Sequence, residues 1–168
     1  MRIQVTGGTK KQRELSASIA RFTARQLMSK RLMKNIYVEI KLIPRLLEKE
    51  EVYGDSIYED DNWRPREFTI QADSKLKLRR LLETIAHEMV HVKQFAKGEM
   101  VDVVRANKIR WHGVDFDDED KSYYDQPWEI EAHGREMGLF VRWAQKYGMR
   151  NKNGLNTKTI DKTKEGLK

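Results

Sequence analysis

The sequence contains no cysteine. This excludes disulfides, thiolate nucleophiles and thiolate metal sites together, so any metal must be held by histidine and carboxylate. No apolar run approaches eighteen residues, which excludes a membrane-spanning helix and gives no reason to expect a membrane partner. Residues 1–11 lack the apolar centre of a secretory signal, so the expected location is the cytoplasm. No internal repeat is visible. With 168 residues there is chain enough for one domain with its own core.

Charge is abundant, with a net value of +7, and it is unevenly placed. Lys10, Lys11, Arg13, Arg21, Arg25, Lys30, Arg31 and Lys34 face a single acid, Glu14, over residues 10–34. Residues 150–168 hold six bases against two acids, and residues 115–120 form an acidic run. A solvated face and a solubilising tail account for the bases; contact with nucleic acid or another acidic partner is the alternative.

Apolar periodicity orders the rest. Residues 2–6 alternate and end at Gly7-Gly8, as a strand and turn do. Thr9 caps an expected helix over residues 10–33, and residues 36–43 read as a strand ending before Pro44. A weaker strand is expected over 51–58 and a better one over 67–72. Asp73 or Ser74 caps a helix over 75–97 that stops at Gly98. Strand-like pieces over 100–104 and 107–111 follow, then a break at Gly113 and an acidic loop over 115–121. Pro127 opens a last helix running to 147. Beyond Met149 the chain is polar and basic, so a domain over 1–148 and a disordered tail over 149–168 are expected. The strands group together, giving an α+β class: a short mixed or antiparallel sheet packed on the helix over 75–97 and on the last helix.

The helix over 75–97 carries His87-Glu88-Met89-Val90-His91, an H-E-x-x-H pattern. Residues four apart lie on one helical face, so His87 and His91 can aim two imidazoles at one zinc ion. Glu88 falls beside them, where it can take a proton from a water on the metal. Leu78, Leu82, Ile85, Met89, Val92 and Ala96 form one buried stripe with the histidines at its border. A catalytic zinc needs a third protein ligand. Glu129 and His133 share a face of the last helix, which suits Glu129 as ligand and His133 as its support. Glu131 points away from that face, and His112 sits beside Gly113; both are alternative ligands. Glu136 reads as surface charge. Tyr123, Tyr124 and His112 are candidate donors to a developing oxyanion, with loop packing the plainer reading.

His87 through Gln94, followed by Pro127-Trp128-Glu129-Ile130-Glu131-Ala132-His133, resembles the minimal zincin metallopeptidases common in phages and prophages, over roughly residues 67–141. Glu129, Ala132 and His133 match the register of the glutamate-ligand zincins, with His133 where Asp or Asn is usual. Trp111-His112-Gly113-Val114-Asp115-Phe116 is similar instead to the later histidine motif of SprT-like and Spartan-like proteases. The first resemblance implies a zinc peptidase of phage or prophage type acting on a peptide or protein in the host cytoplasm or associated with a virion. The second implies a protease associated with DNA. A zinc domain with a structural or assembly role is the non-enzymatic alternative. An extended substrate is expected to add to an edge strand such as Phe68-Thr69-Ile70.

Overall fold

The structure, a computed structural model, describes residues 1–117, 122–149 and 155. The expected tail otherwise lies outside the described residues. Leu155, the described residue beyond Met149, is buried in the core.

Strand β1 (Arg2–Gly7) leads into helix α1 (Lys10–Leu27). Thr9 and Gln12 bond reciprocally across its first turn, satisfying two backbone N–H groups that the helix itself leaves open. The single helix expected over 10–33 is broken. Met28 is extended, and the Ser29 hydroxyl accepts the Leu32 N–H at 3.2 Å to start a short helix α2 (Lys30–Lys34). Serine competes with the helical ladder for backbone donors, which favours it at a cap over a helix interior.

Strand β2 (Tyr37–Ile43) turns Val38, Ile40 and Leu42 into the core. After the short α3 (Leu46–Glu50), β3 (Gly54–Tyr58) and β4 (Glu67–Asp73) complete a four-stranded sheet in the order β1-β2-β4-β3. β2 runs parallel to β1 and β4, and β3 runs antiparallel to β4. The expectation that residues 68–70 form an edge is therefore wrong. The β4 backbone is paired on both sides, by β2 and β3, while Phe68 and Ile70 are buried in the core; among the described residues the free edge on this side is β3.

Helix α4 (Leu78–Lys97) is the centre of the molecule, packed by α1, β3, β4 and α5 (Pro127–Lys146). From Leu81 to Ala96 every residue is buried, polar ones included, so the histidine face is enclosed as deeply as the apolar stripe. The helix starts three residues later than expected and without a side-chain cap. The Asp73 carboxylate is committed elsewhere, accepting the N–H groups of Arg45, Leu47 and Lys75 and so fastening the end of β4 to α3. At the other end Gly98 takes a left-handed conformation and closes the last turn, as expected.

A second, antiparallel sheet contains β5 (Met100–Val103), β6 (Lys108–Trp111) and β7 (Val114–Asp117). Residues 115–117 are thus strand rather than acidic loop. His112 and Gly113 both have positive φ and make the two-residue turn that folds β7 back on β6. Arg110 and Lys108 pair across the hairpin with Asp115 and Asp117 and neutralise the acids there. Among the described residues no helix is long and apolar enough to cross a membrane.

Candidate metal centre

His87, Glu88 and His91 come from the middle of α4, and Glu129 from the first turn of α5. Pro127 suits the first helical position, where no N–H partner is needed, and it sets the helix running so that Glu129 faces α4. All four side chains are buried. The two imidazole Nε2 atoms stand 3.1 Å apart. Glu129 straddles them, with one oxygen 3.3 Å from His87 Nε2 and the other 3.3 Å from His91 Nε2. Ligand atoms about 2.0–2.1 Å from a tetrahedral ion are separated by about 3.3–3.4 Å, so these spacings are close to those between neighbouring ligands of such a site.

The hydrogen bonds around the ring decide where the protons lie. Gln94 Nε2 donates to the Trp128 carbonyl and to Glu131, both at 3.0 Å, so its Oε1 must face His91 Nδ1, 2.8 Å away. His91 Nδ1 is then the donor. His87 Nδ1 likewise faces the Glu136 carboxylate at 2.9 Å. In the neutral rings both Nε2 atoms are left as lone pairs aimed at each other, beside a carboxylate whose Oε2 is buried without a hydrogen-bond partner. Such an arrangement is repulsive unless a cation lies among the three groups. The donor set fits a metal ion, and His87, His91 and Glu129 can hold one.

Without a metal a proton serves instead. Burial alone would lower the pKa of His87, but Glu129 and Glu136 outweigh it and raise it to about 9. Burial likewise opposes the charge of Glu129, yet the two histidines hold its carboxyl well below the ordinary range. Glu88 shifts the other way: burial raises its proton affinity against the pull of His91 and His87. A carboxylate so placed is a stronger base than one in water.

The other candidates separate cleanly. Glu131 does not join the converging group; it reaches across to α4, where it accepts Lys93 at 2.6 Å and the Gln94 amide at 3.0 Å, and on its own helix it accepts Arg135 at 2.8 Å. His133 packs its ring on His87, with centroids 4.5 Å apart, but its Nε2 is 3.9 Å from Glu129 and makes no hydrogen bond to that ligand. His112 is an exposed turn residue outside the converging group. Tyr124 is exposed. Tyr123 is half-exposed; burial and the nearby Glu129 carboxylate push its phenol above its usual range.

Glu136 overturns the expectation of surface charge: it is half-buried between His87 and Arg80, with Arg80 3.2 Å from it. Its spacing of seven from Glu129 put it on the ligand face, a signal present in the sequence. Gln94, three residues after His91, was legible in the same way. A cleft of about 630 Å³ opens onto His87, Glu88, His91, Glu129 and Tyr123, with β3 forming one wall. Compared with known proteins, the chain matches no family model, no curated protein and no solved structure.

Proposed function

We propose that this chain is a zinc-dependent peptidase of the zincin type. The observation that carries the reading is the pairing of a three-donor cradle with a buried carboxylate, Glu88, at the floor of one open cleft. Structural zinc sites are closed by four protein ligands. Here three side chains converge among the described residues, and solvent reaches them, which favours the catalytic reading over a structural one. The exposed position of His112 gives no support to the SprT-like alternative.

Bound by His87, His91 and Glu129, zinc would supply Lewis acidity, bringing the pKa of a water towards neutrality and polarising a carbonyl. Glu88 takes the proton of the attacking water and returns it to the leaving amine. Gln94 and Glu136 hold the two imidazoles in the tautomer that leaves Nε2 free. Tyr123 stands at the same opening, where its hydroxyl can donate to a developing oxyanion. The edge of β3, unpaired among the described residues, offers main-chain hydrogen bonds to an extended peptide.

The test compares zinc content and hydrolysis of an unfolded protein substrate by wild type and Glu88→Gln. Zinc stoichiometry should be unchanged and hydrolysis should fall by about 10²–10⁴-fold. Hydrolysis retained by Glu88→Gln would remove Glu88 as the base, and zinc-free wild-type protein would sink the reading.

A further inference from the structure

The chain carries a net charge of +7, yet no lysine or arginine among the described residues lines the 630 Å³ cleft. Besides Glu88 and Glu129, its walls present Glu50 from the end of α3, Asp55 from β3 and Asp102 from β5. Three separate elements bring these acids together, so their meeting is a property of the fold and not of a local charge run. Glu50 and Asp55 are exposed and make no ion pair with the described residues. Asp102 is half-buried, and its Oδ2 accepts the Tyr58 hydroxyl at 2.7 Å, which leaves the other oxygen for a ligand. Beside Asp102 the wall is apolar: Phe95, packed on Tyr58 with centroids 5.1 Å apart, and Met100. A carboxylate beside an apolar wall is the complement of a long aliphatic stem with a charged head. The same cleft holds the His87, His91 and Glu129 cradle, so a peptide laid against that group would pass these acids.

We infer that the cleft selects lysine- or arginine-bearing peptides, with Asp102 and Asp55 as the specificity-determining groups. The inference rests on the peptidase reading for its setting, but it concerns binding alone. An acidic segment would meet five carboxylates and would be repelled. A neutral one would leave Asp55 and Asp102 without a cationic partner.

The experiment measures, by fluorescence anisotropy, the binding of alanine-based peptides carrying lysine, norleucine or glutamate at the same positions. The protein is the zinc-loaded full chain bearing Glu88→Gln, which removes turnover from the measurement. The lysine peptide should bind about tenfold tighter than the norleucine peptide, and the preference should shrink as salt is raised. Adding Asp55→Asn and Asp102→Asn should bring the two peptides to about equal affinity, with the norleucine peptide unchanged. The amide oxygen that Asp102→Asn introduces can still accept the Tyr58 hydroxyl, and position 55 is exposed, so neither change asks the fold to repack. Equal binding of the lysine and norleucine peptides, tighter binding of the glutamate peptide, binding of none, or a preference that survives both substitutions would overturn the inference. Cleavage is followed separately with the wild type. A lysine preference without cleavage would leave this inference standing and the peptidase reading fallen; cleavage without the preference would do the reverse.

Discussion

At the scale of single residues, the unusual feature is how little freedom the two histidines have. Each Nδ1 is bonded to an acceptor that is itself held, His91 by Gln94 and His87 by Glu136. Gln94 is fixed in turn by Glu131 and the Trp128 carbonyl, and Glu136 by Arg80. Replacing Glu136 with Gln keeps the shape but removes the charge and lets the amide present a donor to Nδ1. Zinc affinity, read by competition with a chromogenic chelator, should drop about 10–100-fold with little change in unfolding. An unchanged affinity would mean that His87 is oriented by its packing on His91 and His133 alone.

At the scale of elements, the close approach of β3 to α4 sets the depth of the cleft. Gly54 makes it achievable: a Cβ at that position would lie 2.5 Å from Thr84 Cγ2, 2.8 Å from the Gln71 carbonyl oxygen and 3.4 Å from Glu88 Oε1. Gly54→Ala must push the strand off the helix or twist it. The cost should be about 1–3 kcal/mol in denaturant unfolding, with hydrolysis reduced by more than the loss of folded protein explains. The α4 and α5 helices were readable beforehand because their apolar period is regular and because Gly98 and Pro127 mark two of their ends. Spacing of four put His87 and His91 on one face of a helix, but no spacing within a helix could say which of Glu129, Glu131 and His112 would meet them, because that depends on how α5 packs on α4. The identity of the edge strand was not readable. Residues 67–73 and 54–58 have similar strand character, and only the pairing of β4 between β2 and β3 decides which is open. The β7 strand hid behind its acids, whose partners Arg110 and Lys108 lie across a turn that charge counting does not see. The break at Ser29 gave one hydroxyl against a long apolar period, and the period was the louder signal.

For the molecule as a whole, the group that could hold a metal joins α4 to α5, so metal bound there should be felt in global unfolding. Zinc at about a thousandfold excess over its dissociation constant adds about 4 kcal/mol, which for a chain of this length raises Tm by roughly ten degrees; a chelator should reverse it. The metal-free protein should also respond to pH in a window where the loaded form does not. His87 has a folded pKa of about 9, above its ordinary value of 6.5. Its proton therefore stabilises the fold fully below about pH 6.5, and that contribution is lost as pH rises to 9 and beyond. A thermal melt series from pH 6 to 9.5 with chelator should show Tm falling with pH, and zinc should flatten the slope. A metal-free Tm that rises over that range would contradict the placement of the carboxylates around His87.

Leu155 carries a consequence for the integrity of the chain. It is 1% exposed and belongs to the same core as α4 and α5. Burying one leucine is worth about 1.5–3 kcal/mol, which corresponds to a dissociation constant weaker than about 1 mM for the same contact between separate molecules. Contact of the Leu155 side chain alone would therefore not hold it in place between separate molecules at ordinary protein concentration, and removing it would leave a leucine-sized vacancy in the core.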